Sequence, residues 1–354
     1  MITISLCMIV RNEELVLARC LDSVQGIPDE IIIVDTGSVD ATKEIAGQYT
    51  SLVYDFLWQD DFSAARNFSF SKASKEYLLW LDADDVLSPK DREAFLNLKN
   101  QLDPTVDIVM MPYIISEDPQ GNSLFSYPRE RLIKREKGYV WQGEIHETIS
   151  LIGIIRQENI PVRHRKMKSG DPKRNLRIFQ GMISRGKQLD PRERYYYARE
   201  LWYNEQYASA KQELETYLTL PGWKEDRIQA WLILSHCRSA LGDEAGALDC
   251  LYKSFEEDLP RPEVCCAIGD WYQRQGENQK AVYWYRMAME APESEMGFCQ
   301  PEMKTFVPLM QMCVCYDRLG DRKQAFACHQ QAKKLHPEHP SVLYNEKYFQ
   351  SLLS

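Results

Sequence analysis

In the first half of the chain, short continuous apolar runs alternate with longer stretches whose apolar residues recur three or four apart. Residues 2–10, 30–34, 52–56 and 77–81 have the β-branched, uninterrupted character of strands buried on both faces. Between them, the stretch carrying Leu17, Leu21 and Val24 on one face, then 41–49 and 63–75, read as helices. Asn12 is placed to cap the first and Asp40 the second. This alternation predicts a parallel α/β sheet. Each strand breaks into a polar loop: Arg11-Asn12-Glu13-Glu14, Asp35-Thr36-Gly37-Ser38 and Asp82-Ala83-Asp84-Asp85. Ligands of open α/β sheets bind beyond the carboxyl ends of the strands, so Asp35 and Asp82 are expected at one edge.

The pattern then changes. Ser88-Pro89 with Asp91 marks a capped helix start, and the helix runs over 89–102. A strand over 108–115, a turn at Pro119-Gln120-Gly121-Asn122 and a return over 124–127 suggest a hairpin, followed by short strands at 131–133 and 139–141. Residues 154–162 lead to Arg163-His164-Arg165, and the polar stretch up to Lys173 reads as a mobile loop. From Asp190 onward the sequence is helical and repeats. Gly242, Gly276 and Gly320 each stand five residues before an alanine, Ala247, Ala281 and Ala325. The first two glycines are 34 apart and the third 44 further, consistent with an insertion around 293–302. The period resembles the tetratricopeptide repeat, with a degenerate first unit that keeps Ala210 but has Glu205 at the glycine position. The expected organisation is two domains, 1–188 and 189–354.

The formal charge of −9 argues against nucleic acid as the main partner. Residues 129–187 nevertheless hold 15 Lys+Arg against 6 Asp+Glu, which suits a solvated face or one turned toward a diphosphate, an anionic acceptor or lipid headgroups. Ten cysteines are scattered without Cys-x-x-Cys or zinc-ligand spacing and read as reduced thiols in apolar helix faces. With a strand beginning at once and no apolar run near the roughly 18 residues of a spanning helix, the expectation is a cytoplasmic protein. Peripheral membrane contact stays open, as does oligomerisation through the repeats.

Three carboxylates just beyond a buried strand repel one another unless a cation or solvent separates them. The i, i+2 spacing lets Asp82 and Asp84 converge on Mg²⁺ or Mn²⁺, which accept carboxylate oxygens and keep sites open for phosphate. An acidic loop ahead of a well-capped helix is the plainer reading of the same residues.

Several stretches together carry a family resemblance: Met8-Ile9-Val10-Arg11-Asn12-Glu13, Ile33 to Asp40, Trp58 with Phe62-Ser63-Ala64-Ala65-Arg66-Asn67, Leu79 to Asp85, and Trp141-Gln142-Gly143-Glu144-Ile145-His146-Glu147. In this order they resemble the family 2 glycosyltransferases of GT-A fold, best the bacterial subgroup with C-terminal tetratricopeptide repeats, to which sublancin-type S-glycosyltransferases are related. Many relatives read Asp-Asp-Gly-Ser where this chain has Asp35-Thr36-Gly37-Ser38. The resemblance implies an α/β, Rossmann-like nucleotide-sugar-binding domain followed by an all-α repeat domain.

It also implies roles. Asp35 accepts from a uracil imide N–H, Arg11 and Glu13 border the nucleobase, and Asp82 sits near ribose and metal. Asp84 ligates the metal, and His164 stands where such enzymes often place a third ligand; it also reads as a surface residue among Arg163, Arg165 and Lys166. Arg66 is either a donor contact or a salt-bridge partner of the acidic loop. Glu147 is the first candidate for the base that deprotonates the acceptor, with Glu144 and Asp85 behind it. The function expected is metal-dependent, inverting transfer of a hexose from a nucleotide sugar, by preference a UDP-sugar, to a peptide, protein or glycan. The alternative is a repeat scaffold with a vestigial nucleotide-sugar domain.

Overall fold

The computed structural model describes residues 1–118, 121–167, 171–292 and 300–352. The chain forms two compact units, Met1–Gln188 and Leu189–Ser354.

In the first unit, β1 (Ile4–Val10), β2 (Glu30–Asp35), β3 (Val53–Asp55) and β4 (Tyr77–Trp80) lie parallel in the order β3-β2-β1-β4. Helices α1 (Leu17–Ser23), α2 (Thr42–Tyr49) and α3 (Phe62–Ser71) make the crossovers. Alternate residues of β1 enter different layers, as the strand period requires. Leu6, Met8 and Val10 pack with Leu17 and Leu21 of α1, while Cys7 joins Ile32, Leu78, Trp80 and Phe70 on the face covered by α3. Burial on this scale contributes roughly 1.5–3 kcal/mol per large apolar side chain, which outweighs the modest propensities of these short helices.

The sheet is mixed rather than parallel throughout. After β5 (Asp85–Val86) and α4 (Pro89–Gln101), β6 (Ile108–Glu117) and β7 (Ser123–Lys134) form a long hairpin. The return strand β7 wedges antiparallel between β4 and β6. Residues 131–133 therefore belong to β7 and are not a separate strand; Pro119 and Gln120 of the expected turn lie outside the described residues. A small separate hairpin follows, β8 (Trp141–Gln142) and β9 (Thr148–Ile149). Then β10 (Ile155–Gln157) pairs with β6, and β11 (Val162–His164) slots between β6 and β5. Lys168 to Gly170 of the expected mobile loop are not among the described residues, and α5 (Arg174–Ser184) closes the unit.

Two local expectations change. Asn12 does not cap α1, which begins only at Leu17. Asn12 adopts a left-handed φ of 57° and its Oδ1 accepts from Val39 N–H at 2.8 Å, so it ties two loops together instead. α3 ends at Ser71 rather than 75 because the chain must straighten before β4.

The second unit stacks antiparallel helix pairs: α6 (Pro191–Tyr203) with α7 (Tyr207–Leu218), α8 (Lys224–Ala240) with α9 (Glu244–Lys253), α10 (Pro262–Arg274) with α11 (Asn278–Glu290), and α12 (Phe306–Arg318) with α13 (Arg322–Leu335), followed by α14 (Pro340–Ser351). The turn glycines Gly242, Gly276 and Gly320 all take φ near 80°, and Glu205 holds the equivalent left-handed position at φ 59°. Ala210, Ala247, Ala281 and Ala325 are buried, so the repeat read from the sequence is a tetratricopeptide-like packing of helices. Residues 293–299 of the expected insertion lie outside the described residues. Among the described residues no helix is long and apolar enough to cross a membrane.

One buried acid gives this unit a pH dependence. Asp226, in the first turn of α8, is 3% exposed, and its Oδ1 has no hydrogen-bond partner among the described residues. Burial pushes its carboxyl up to about 6, only partly countered by Arg192 and Arg199. Because the folded state holds the proton more tightly, stability falls as pH rises from the ordinary carboxylate range through 6. Asp226→Asn is expected to stabilise the helical unit by about 1–3 kcal/mol at pH 8, a gain that shrinks steadily below pH 6. Denaturation midpoints of the helical unit measured across pH 4.5–8 check this; a gain independent of pH would refute it.

Candidate active site

The acidic loop turns tightly after β4. Asp85 N–H donates to Asp82 O at 3.0 Å, and Asp82 N–H donates back to Asp85 Oδ2 at 2.9 Å. This closed turn sends the carboxylates in different directions. Asp82 accepts from Arg66 Nη2 of α3 at 2.8 Å, whereas Asp84 and Asp85 meet His164 of β11, Asp84 Oδ1 at 3.2 Å and Asp85 Oδ1 at 3.8 Å from Nδ1. His164 reaches this place by strand register, since β11 pairs antiparallel with β5 and sets His164 opposite Asp85. Tyr113 Oη lies 3.0 Å from the same Nδ1. The expected pairing of Asp82 with Asp84 is thus replaced by a cluster of Asp84, Asp85 and His164, whose ligand atoms lie within 4.8 Å of one another.

Burial alone would lower the His164 pKa, but the neighbouring carboxylates of Asp84 and Asp85 raise it to about 10. Two carboxylates and an imidazole also form a donor set that a divalent cation accepts. Asp85 Oδ1, fully buried and without a hydrogen bond among the described residues, is the kind of orphaned oxygen that a cation would satisfy. The same burial, together with the ion pair of Asp85 Oδ2 to Arg131 Nη1 at 3.0 Å, places Asp85 in the wall of this cluster. That is not a position from which a base receives an acceptor's proton.

Two strands along the sheet, the loops after β1 and β2 are sewn together. Asn12 N–H donates to Ser38 Oγ at 2.9 Å and Glu13 N–H to Thr42 Oγ1 at 2.7 Å. Arg11 is exposed at the surface of this seam and Glu13 is half-buried. Asp35 closes β2 at its floor: Oδ1 accepts from Gly37 and Ser38 N–H, each at 2.9 Å, while Oδ2 is buried without a partner among the described residues. Gly37 at φ 103° makes that turn possible.

On the far side of the acidic loop, the β8–β9 hairpin carries Glu144, His146 and Glu147 and is fastened to α3. Asn67 pairs twice with the Trp141 backbone, accepting from N–H at 2.8 Å and donating to O at 2.9 Å; Phe62 N–H donates to Glu144 O at 2.8 Å. Glu147 Oε1 accepts from Arg66 Nε at 2.6 Å. Arg66 therefore divides its described hydrogen bonds between Asp82 and Glu147. Burial alone would weaken its charge, but these two carboxylates keep it firmly protonated, and Arg66 and Arg131 in turn hold Asp82 down at about 2 against the effect of burial. Glu144 faces elsewhere, toward Arg185 at 2.5 Å and Lys187 at 3.5 Å. His146 takes a left-handed φ of 52° and stacks on Phe179 of α5 with centroids 6.2 Å apart.

Sequence reasoning missed the cationic frame. Arg66, Arg129 and Arg131 all lie against the Trp80 indole, 4.7, 4.7 and 4.0 Å from its centroid. Arg131 is fully buried, with Tyr113 on its other face at 4.3 Å. The signal was present as a conflict: Arg129-Glu130-Arg131 runs directly into the buried Leu132 and Ile133 of one strand, and central strands admit charge only where it is paired.

Comparison with known proteins bears directly on this edge. Residues 5–160 match the family model of glycosyl transferase family 2. A TPR repeat-containing protein of Synechococcus elongatus is 37% identical over 160 residues, 45% of this chain and 38% of that protein. The SPbeta prophage-derived glycosyltransferase SunS of Bacillus subtilis is 32% identical over 149 residues, 41% of this chain and 34% of its own. LpsC of Rhizobium meliloti, a lipopolysaccharide core biosynthesis glycosyltransferase, is 27% identical over 164 residues, 44% of this chain and 58% of its own length. The chain thus spans well under two thirds of each of these relatives. The segment from residue 5 to residue 160, which carries Asp35, the acidic loop and the Glu147 hairpin, is a family 2 glycosyltransferase domain.

Proposed function

We propose that the chain transfers a hexose, with inversion, from a nucleotide sugar to a peptide, protein or glycan acceptor. The observation that carries this reading is the set of groups gathered around the strand ends: the open, buried oxygen of Asp35, the cluster of Asp84, Asp85 and His164, and Glu147, which Arg66 joins to the acidic loop. Asp35 Oδ2 suits the imide N–H of a uracil, which favours a UDP-sugar. Asp84, Asp85 and His164 would hold Mg²⁺ or Mn²⁺. When bound, such a cation offsets the charge of a departing nucleoside diphosphate. Glu147 would take the acceptor's proton at Oε2, since Oε1 is engaged by Arg66. The helical unit would hold the acceptor, and the place of action would be the cytoplasm.

The test is a panel of UDP-glucose, UDP-galactose, UDP-N-acetylglucosamine and GDP-mannose, with and without Mn²⁺, read as acceptor-free hydrolysis and as binding by calorimetry. One UDP-sugar is expected to be hydrolysed in a cation-dependent way. Asp35→Ala is expected to weaken UDP and that UDP-sugar alike, by roughly 1–3 kcal/mol for a buried hydrogen bond lost. Unchanged UDP affinity in the variant, or preference of the parent for the guanine nucleotide, would overturn the assignment.

A further inference from the structure

The β8–β9 hairpin stands apart from the main sheet, so the place of Glu147 is set by what fastens the hairpin. Asn67 and Phe62 hold its backbone. Among the described residues Arg66 alone makes an ion pair with the carboxylate itself, and the same guanidinium grips Asp82 in the acidic loop. We infer that Arg66 is a positioning residue: it sets the orientation of Glu147 relative to the donor-side carboxylates, so that proton removal and donor cleavage occur in one geometry. This rests on the reading of Glu147 as the base.

Three features favour this over a pair that serves stability. A guanidinium presents Nε–H and Nη–H in a rigid fork, so one residue fixes two carboxylates at a set angle; an ammonium cannot. The plane of that fork is itself fixed, with Trp80 at 4.7 Å and Trp141 at 5.0 Å from its carbon. Finally, the side chains of Arg66 and Glu147 are 8% and 10% exposed. A buried pair is often no more stabilising than apolar side chains of similar volume, so stability alone gives little reason for this arrangement. Misplacement of a reacting group by about 1 Å can lower a rate on the order of a hundredfold, which is reason enough to hold it.

The experiment is a double-mutant cycle on the full chain, following UDP release from the UDP-sugar selected by the panel, with Mn²⁺, at saturating donor. Arg66→Gln, Arg66→Lys, Glu147→Gln and the Arg66→Gln/Glu147→Gln double variant are compared, with UDP affinity by calorimetry and melting curves alongside. Arg66→Gln should slow the chemical step about a hundredfold with UDP affinity nearly unchanged. Arg66→Lys should recover only part of the rate. The double variant should be no slower than Glu147→Gln alone, since the two residues act as one unit. Arg66 slowing the Glu147→Gln background by the same factor as the parent would overturn the inference, as would a loss confined to UDP affinity. If Glu147→Gln turns over at the parent rate, the base reading fails, and the inference with it; that variant alone identifies which failed. Should Arg66→Gln not fold, Arg66→Lys with and without Glu147→Gln completes the same cycle.

Discussion

Replacing Asp84 by alanine is expected to abolish cation-stimulated donor hydrolysis and to leave the chain folded. Asp84 lies in the loop beyond β4, and its carboxylate meets His164 Nδ1 at 3.2 Å without joining the apolar core. Its backbone carbonyl, which accepts from Arg165 N–H at 2.8 Å and ties the loop to the end of β11, is retained in the variant. A partly exposed ion pair contributes about 1 kcal/mol or less, so the melting curve should shift little. The proposed cation site, by contrast, would lose one of its two carboxylates. The remaining pair, Asp85 and His164, has Asp85 already neutralised by Arg131. The activity loss should therefore exceed the roughly 10–100-fold typical when a residue merely supporting a metal ligand is removed. Hydrolysis of the selected UDP-sugar across a Mn²⁺ titration measures this. Parent-level activity in Asp84→Ala, or in the parent chain with excess chelator, would refute the cation's role.

The second large effect is expected at Glu147. Glutamine keeps the size of the side chain and can still accept from Arg66 Nε through its amide oxygen, so the hairpin should stay in place. What disappears is the ability to take a proton. For a hydroxyl acceptor or water, turnover should fall about 10²–10⁴-fold while UDP affinity hardly moves. A thiol acceptor should soften the loss, because a cysteine is partly ionised near neutral pH and needs less help. The structure also separates the rival carboxylates. Glu144 is held by Arg185 and Lys187, so Glu144→Gln should remain near the parent rate. Single-turnover rates of the two variants side by side decide between them, and a fast Glu147→Gln beside a slow Glu144→Gln would reverse the assignment.

Much of this edge was legible before any coordinates because its parts are local. Asp35 and the acidic loop each follow a buried apolar run directly, so the strand period and the run's abrupt end locate them. The Gly-to-Ala spacing of the helical repeats is likewise a short-range pattern, and even Glu205 in a glycine position could be read from it. What could not be read is set by pairings distant in sequence. That Asp85 rather than Asp82 joins Asp84 follows from the register of β11 on β5. That Arg129 and Arg131 reach Trp80 follows from β7 wedging against β4, a placement that a helix-by-strand alternation does not announce. Asn12 misled because a residue well suited to capping a helix is equally suited to a left-handed bridge between loops.

The late arrival of β11 has a consequence for synthesis. His164 and Asp85 face each other across a ladder that joins positions 79 apart, and contacts of such separation carry a high loop-closure cost. A nascent chain that has released only its first 150 residues already contains the Asp35 turn, the acidic loop and Glu147, but the strand that brings the imidazole is still inside the ribosome. The two aspartates then face the gap that β11 will fill. On the proposed reading, tight cation capture would thus await the completed sheet, whereas the turn that holds Asp35 needs only the strands before it.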